Sequence, residues 1–121
     1  MAKVLVIDDS PSQLANQQRI LQNAGHLTLI ADGGQRGIDL AESEQPDIIL
    51  MDVVMPDING FQATRKLSRN PATENIPIIM VTTKDQATDK VWAQRQGAAG
   101  YLVKPVEAKS LLAEIERVLG R

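Results

Sequence analysis

The chain contains no cysteine, so it has neither a disulfide framework nor a thiolate metal site. This is compatible with a reducing cytosol. Aromatic residues make up only 2% of the sequence, and the two that stand out, Trp92 and Tyr101, are compatible with ordinary core positions. Lysine and arginine are scattered rather than gathered in a run. We therefore expect no nucleic-acid partner and no membrane-surface patch.

Long apolar runs, internal repeats and linkers are also missing. The first apolar run follows Met1-Ala2-Lys3 and has four residues, too few for a signal-peptide core or a membrane span. A chain of 121 residues suits one domain with a real core. We expect a single domain over residues 1–121 with no output domain, present as a monomer in the cytoplasm.

Two apolar runs that end on carboxylates organise the sequence. Ile48–Met51 ends on Asp52, and Val4–Ile7 ends on Asp8-Asp9. Unbroken apolar runs of this length are typical of inner parallel strands covered on both faces. Strand ends brought to one edge would gather three carboxylates that repel one another. A hard cation such as Mg²⁺, which prefers oxygen ligands, would stabilise that cluster.

Alternating strands and helices predict an α/β fold with a parallel sheet. In a doubly wound sheet of five strands with helices on both faces, the order 2-1-3-4-5 makes strands one and three neighbours. Ligands bind at the carboxyl edge of such sheets. The predicted strands are Lys3–Ile7, Leu27–Ala31, Ile48–Met51, Ile76–Val81 and Tyr101–Val103.

Capping signals mark two of the predicted helices. Ser10 followed by Pro11 and Gln13 forms an S-x-x-Q capping box that opens the first helix. The similar pattern Thr83-x-x-Gln86 predicts the start of a helix that runs to residue 96.

Five side chains are expected to converge at the carboxyl edge, because they directly follow the apolar runs: Asp8, Asp9, Asp52, Thr82 and Lys104. An aspartate beside Mg²⁺ can act as a nucleophile toward a phosphoryl group. The metal and a lysine would neutralise the phosphoryl oxygens, and a hydroxyl could donate to one of them. The set suits phosphoryl transfer onto Asp52.

Each of these residues alone has a plainer explanation. Aspartate and threonine at strand ends are often turn formers or helix caps, and a single lysine is usually a solvated surface residue. Only the joint placement favours a site. Asp32 and Asp57 lie in turn contexts, where we keep the plainer explanation, and His26 has no partner that would make it a metal ligand.

These motifs together resemble the receiver domain of two-component response regulators. The matching features are Asp8-Asp9, Asp52, the M-P-D-x-x-G segment of residues 55–60, Thr82 and Lys104-Pro105. The resemblance covers residues 3–119. It implies a flavodoxin-like fold and a signalling protein that catalyses only its own phosphorylation and dephosphorylation.

The resemblance also implies a role for each matching residue. Asp52 would be the phospho-acceptor, with Thr82 and Lys104 contacting the phosphoryl group. Mg²⁺, or another divalent ion such as Mn²⁺, would be held by Asp9, Asp52 and the backbone carbonyl of Val54, with Asp8 acting through water. Tyr101 would be the aromatic switch residue together with Thr82, and the Lys104-Pro105 peptide bond would be cis.

A narrower resemblance concerns three segments, N-G-F-Q-A-T-R at 59–65, T-T-K-D-Q-A-T-D-K-V-W at 82–92 and R-Q-G-A at 95–98. They resemble type IV pilus twitching-motility regulators of the same family. This implies a stand-alone receiver with a CheA-like histidine kinase as phosphoryl donor. The downstream motility protein or sister regulator stays open. So does the phosphoryl lifetime, because Val54 and Lys84 offer no group that could orient water.

Three alternatives remain. The receiver could act in flagellar chemotaxis or a phosphorelay, or the pocket could be idle in a structural module. A small aspartate-nucleophile phosphatase of the haloacid-dehalogenase type is disfavoured, because that chemistry needs a second aspartate where Val54 stands.

Overall fold

The computed structural model describes residues 1–120, in which five strands alternate with five helices. The strands are β1 (Lys3–Ile7), β2 (Leu27–Ala31), β3 (Ile48–Met51), β4 (Ile78–Thr82) and β5 (Gly100–Val103). The helices are α1 (Pro11–Asn23), α2 (Gly34–Glu44), α3 (Gly60–Arg69), α4 (Ala87–Gln96) and α5 (Ala108–Leu119). Among the described residues, no helix is both long and apolar enough to cross a membrane.

All strand pairs are parallel, and the sheet order is β2-β1-β3-β4-β5. The predicted fold class and strand order are therefore confirmed. Ile7 at the end of β1 is paired with Ala31 on one side and Met51 on the other. β2 lies on one side of β1, and the chain then crosses over to form β3 on the other side. The ends of β1 and β3 therefore lie together at the switch point, where open α/β sheets bind ligands.

Alternate strand residues supply two separate cores, as expected for a sheet covered on both faces. On one face, Leu5, Ile7 and Met51 belong to a cluster with buried residues of α2, α3 and α4. On the other, Val4 and Val6 belong to a cluster with buried residues of α1 and α5. The uninterrupted apolar runs of β1, β3 and β4 follow from this two-sided cover.

Of the two helix caps predicted from the sequence, one is confirmed and the other is wrong. Ser10 caps α1 as predicted, and its side chain accepts a hydrogen bond from the Gln13 N–H at 3.4 Å. The prediction that Thr83 caps α4 is wrong. The cap is Gln86, whose N–H donates to the Asp89 carboxylate, while Thr83 lies exposed in the preceding loop.

Two boundaries and one core assignment also differ from the sequence prediction. β4 begins at Ile78, two residues later than predicted, because Ile76 and Pro77 lie in the approach to the strand. β5 begins one residue earlier, at Gly100. Trp92 is not a core residue, since 48% of it is exposed. His26 is buried, and its Nδ1 accepts a hydrogen bond from the Ala2 N–H at 3.0 Å.

Candidate functional site

The register of β1 and β3 places two aspartates side by side at the carboxyl edge. Ile7 and Met51 are paired, and Asp8 and Asp52 each follow directly. Asp9 comes next along the chain and is exposed, whereas Asp8 and Asp52 are buried. Ligand oxygens of the three carboxylates lie within 4.8 Å of one another. The carboxylate cluster expected from the two strand ends is therefore present.

Lys104 reaches the same cluster from the other end of the sheet. Its position follows from β5, where Val103 pairs with Thr82 and the Lys104 N–H donates to the Thr82 carbonyl at 2.8 Å. The Lys104 Nζ lies 2.6 Å from Asp8 Oδ2 and 3.5 Å from Asp52 Oδ2. One ammonium group thus bridges the ends of β1 and β3.

The electrostatic environment of Asp52 is unfavourable to its charged form. Burial raises the pKa of the Asp52 carboxyl above its usual value, and the nearby Asp8 charge raises it further. The positive charge of Lys104 and the Val53 N–H lower that pKa, without cancelling the increase. Three carboxyl groups and one ammonium meet here, so the acidic groups outnumber the basic one. Added positive charge at this edge would relieve the repulsion.

The residues present fit a hard divalent cation. Asp8, Asp9 and Asp52 offer oxygen ligands only, which is the donor set that Mg²⁺ prefers. Asp8 is already engaged, since Oδ2 faces Lys104 and Oδ1 accepts from the Ser10 N–H at 2.9 Å. The exposed Asp9 and the partly committed Asp52 retain free oxygen positions.

Thr82 is the last residue of β4 and is completely buried. Its hydroxyl oxygen accepts a hydrogen bond from the Lys84 N–H at 3.3 Å. That bond leaves the hydroxyl proton available. Because β4 is the neighbour of β3, Thr82 supplies a proton donor on the side of Asp52 away from β1.

The loop from Val53 to Asn59 folds back tightly on Asp52. The Asp52 Oδ1 accepts from the Val53 N–H at 2.8 Å, and the Gly60 N–H donates to the Val53 carbonyl at 2.8 Å. A Cβ on Gly60 would lie 2.0 Å from the Asp52 carbonyl oxygen, so only glycine permits this close approach. Val54 is 59% exposed, and its apolar side chain offers no proton-transfer group.

Asp57, assigned to a turn from the sequence, makes a contact that the local pattern does not reveal. Its carboxylate accepts hydrogen bonds from the Gly34 N–H at 3.1 Å and the Gln35 N–H at 2.8 Å, and so caps α2 from a distant loop. The N–H groups of Gln35, Ile58 and Gly34 lower the pKa of the Asp57 carboxyl to about 2. The sequence pattern did not predict this role, because Asp57 lies 22 and 23 residues away from the N–H groups that it caps.

Tyr101 lies in β5, and its ring packs partly buried against the α2–α4 core. The hydroxyl donates to the Lys84 carbonyl at 2.8 Å, so it touches the loop that follows Thr82. Burial, together with the charges of Asp89 and Asp85, raises the pKa of Tyr101 to about 12. The Lys104-Pro105 bond is cis, as the resemblance implied.

Known proteins have sequences and folds similar to this one. The profile of the response regulator receiver domain matches residues 4–116. PilH of Pseudomonas aeruginosa is 52% identical over 119 residues, covering 98% of both chains. The PhoP regulator of alkaline phosphatase synthesis from Bacillus subtilis is 33% identical over 98% of this chain, which spans only 49% of that relative.

Among solved structures, the chemotaxis protein CheY4 of Vibrio cholerae superposes with a TM-score of 0.92 at 35% identity, over 98% of each chain. The family profile covers nearly the whole chain, and the sequence and structural similarities agree with it. The chain therefore belongs to the response regulator receiver domain family.

Proposed function

We propose that Asp52 accepts a phosphoryl group from a phosphohistidine of a CheA-like histidine kinase. Receiver domains are generally phosphorylated on an aspartate and take the group from histidine kinases. The observation that carries the assignment to Asp52 is its position. It lies buried at the switch point, within the aspartate cluster and 3.5 Å from the Lys104 Nζ. Asp8 is buried there too, but its two oxygens already face Lys104 and the Ser10 N–H, whereas Asp52 keeps free oxygen positions.

The transfer forms one bond and breaks one. A lone pair of the Asp52 carboxylate forms the new P–O bond, while the P–N bond of the phosphohistidine breaks and its electrons return to the imidazole nitrogen, which takes up a proton. Lys104 neutralises charge on a phosphoryl oxygen, and the Thr82 hydroxyl donates to another. Thr82 is the last residue of β4, and Lys104 directly follows β5, the two strands beyond β3 in the sheet.

Asp9, Asp52 and the backbone carbonyl of Val54 would hold Mg²⁺, with Asp8 contributing through water. Receiver domains generally bind Mg²⁺ at an acidic pocket, and Mn²⁺ offers a similar preference for oxygen ligands. When bound, the metal supplies positive charge that offsets the charge of the transferring phosphoryl oxygens. Asp8 would also bind Lys104 and hold it beside Asp52, which its 2.6 Å ion pair supports.

Phosphorylation would then change partner affinity through Thr82 and Tyr101. Once the Thr82 hydroxyl turns toward the phosphoryl group, the Lys84 N–H loses its acceptor, and the loop that holds the Tyr101 hydroxyl is released. Tyr101 would turn inward and alter the face made by α4, β5 and α5. This is a population shift whose size depends on how differently a partner binds the two states.

The cellular setting is proposed from the sequence resemblance. The ground for the proposal is the 52% identity with PilH over nearly the whole of both chains, together with the segments at 59–65, 82–92 and 95–98 that resemble twitching-motility regulators. The proposed role is that of a monomeric cytoplasmic regulator in type IV pilus twitching motility. The chain would catalyse only its own phosphorylation and dephosphorylation.

Phosphotransfer from a radiolabelled, phosphorylated CheA-like kinase domain tests the acceptor assignment. We expect labelling of the wild type that requires Mg²⁺, loss of labelling in Asp52→Ala, and strong reduction in Asp9→Asn. Asp57→Ala is the matched control, because it removes a carboxylate outside the cluster and should label normally. Wild-type labelling of Asp52→Ala would contradict the proposal.

The switch has its own test. Backbone amide shifts recorded on adding beryllofluoride, which mimics the phosphoryl group, should change in residues 83–103. Unchanged shifts throughout that segment would count against the coupling of Thr82 to Tyr101.

A further inference from the structure

A groove runs along α3 and onto α4, on the face of the sheet away from α1 and α5. One part, of about 280 Å³, lies between the two helices and includes Phe61 and Trp92 in its lining. The adjoining part, of about 410 Å³, is lined on α3 and includes Ile58. Gln62 and Arg65 line both parts, so the two parts lie next to each other, with these side chains between them. Together they are named the α3–α4 groove below.

Apolar side chains form part of its floor. The chain has three aromatic residues in all, and two of them, Phe61 and Trp92, line this groove. Trp92 is 48% exposed in the free protein. Exposed tryptophan beside arginine is the composition found at energetically dominant positions of protein–protein interfaces.

Three cations border the groove without an anionic partner. Arg65, Lys66 and Arg69 all line it, and helix spacing puts Arg69 next to both of the others. Salt bridges among residues 1–120 involve only Lys104 and Arg117 as cations. α3 carries no acidic residue, so its positive charges are not offset within the helix.

An acidic group lies near each end of α3, which carries this basic row. Asp57 lies in the loop before α3 and is bonded to the start of α2. Glu42 accepts a hydrogen bond from Asn70 directly after α3, at 3.0 Å. The ten residues of α3 span about 15 Å, the length of about five extended residues. A long polyanion would meet the carboxylates at either end, whereas a short acidic segment would not.

We propose that the α3–α4 groove binds a short acidic segment of a partner protein, in which carboxylates flank an aromatic or aliphatic side chain. The carboxylates would contact Arg65, Lys66 and Arg69, and the apolar side chain would pack on Phe61 and Trp92. This surface adjoins the α4–β5–α5 face at α4 but lies on the α3 side of that helix, and it uses none of the residues assigned to phosphoryl transfer. Charge complementarity supplies the association rate and specificity, and the apolar contact supplies most of the affinity.

Selection from a random peptide library displayed on phage, with the full chain as target, tests this binding. We expect the selected peptides to carry Asp or Glu on both sides of an aromatic or aliphatic residue. Because Trp92 is the single tryptophan, its fluorescence should shift when a selected peptide binds. Affinity should fall as salt concentration rises.

Charge reversal locates the site. The double variant Arg65→Glu/Arg69→Glu should weaken binding of the selected peptides at least about tenfold. The matched control, Arg19→Glu/Lys109→Glu, makes the same charge change on exposed positions of α1 and α5 and should stay within about twofold. Both variants should still be labelled by acetyl phosphate, so a failure here is distinguishable from a failure of the phosphoacceptor assignment.

Three outcomes would overturn the proposal. The library could yield no acidic consensus, the selected peptides could bind Arg65→Glu/Arg69→Glu as tightly as wild type, or Trp92 fluorescence could stay unchanged on binding. A short oligothymidylate and phosphatidylserine vesicles are measured in parallel. If either binds through Arg65 and Arg69 more tightly than the selected peptides, the groove belongs to nucleic acid or lipid instead.

Discussion

The carboxyl edge of the sheet and the α3–α4 groove carry opposite charges in opposite environments. At the edge, Asp8 is buried and ion-paired to Lys104, so these two charges have fixed partners and fixed positions. In the groove, Arg65 and Arg69 are exposed and bear no ion pair among the described residues. A buried charged group is held in a fixed position and its pKa is shifted, and a chemical reaction depends on both. An exposed charged group remains available for contact with a partner.

The largest effect should come from removing the cation of the buried region. Lys104→Ala leaves the buried Asp8 carboxylate unpaired, which should lower the free energy of unfolding by about 3 kcal/mol. Arg65→Ala in the groove should change it by less than about 0.5 kcal/mol. Urea unfolding without Mg²⁺ gives both values. Equal losses in the two variants would mean that the regions do not differ in the way described.

The second variant removes the Asp52 carboxylate itself instead of the Lys104 ammonium beside it. The raised pKa of Asp52 means that ionisation is disfavoured in the folded state, so the wild type loses stability as pH rises through the folded pKa. Asp52→Asn has no carboxyl group to ionise at this position, so it does not lose stability in this way. It should be the more stable protein at neutral pH without metal. The difference should shrink as pH falls through the folded pKa.

Magnesium should reverse this ranking. A ligand at 100 times its Kd stabilises the folded state by about 2.7 kcal/mol, and Asp52→Asn should lose most of that gain. Thermal unfolding with and without Mg²⁺ measures both effects. An Asp52→Asn variant that gains as much from Mg²⁺ as the wild type would exclude Asp52 from the metal site.

A smaller effect is expected where the backbone closes on the acceptor. The added Cβ in Gly60→Ala would lie 2.0 Å from the Asp52 carbonyl oxygen, so the loop must shift, at a cost of about 2 kcal/mol. Gly33→Ala is the control, because its nearest neighbour is the end of the Asp57 side chain at 3.3 Å, and the loss should stay below about 1 kcal/mol. Unfolding by urea distinguishes them, and equal costs would show that the Gly60 approach is not limiting.

The smallest effect concerns an exposed charge with fixed partners, intermediate between the two regions. Asp57→Ala removes the cap of α2 and should cost about 0.5 kcal/mol, at the low end for caps because solvent screens the carboxylate. The pKa of Asp57 is lowered to about 2, so its contribution is present above the unfolded value near 4 and lost as pH falls toward 2. Stability curves of both proteins over that range should converge; a constant gap would contradict the charge-based cap.

Periodicity and chain order predicted the parts of this molecule that depend on local burial. The apolar runs of β1 and β3 predicted two-sided strands, and the residues that follow them, Asp8 and Asp52, meet because parallel strand ends share an edge. Lys104 joins them through the same rule, applied to the last strand. The rule that parallel strands end at the same edge of a sheet therefore predicted which side chains meet in the pocket.

Features decided by tertiary contact could not be read in the same way. The Thr83 pattern resembles a capping box, but Gln86 forms one with Asp89 and α4 starts later. Trp92 is apolar, yet it lies exposed because α4 buries only Ala93. The contact of Asp57 with α2 joins residues more than twenty positions apart, and no local pattern signals such a bond.

The central claim is that Asp52 is the phosphoryl acceptor of a magnesium-dependent pocket. The most direct measurement is peptide mapping by mass spectrometry after treatment with acetyl phosphate, with and without Mg²⁺. We predict one modified residue, Asp52, that appears only with the metal. Modification of Asp8 or Asp9 in place of Asp52, or equal modification of Asp52 in the presence of a chelator, would contradict the account.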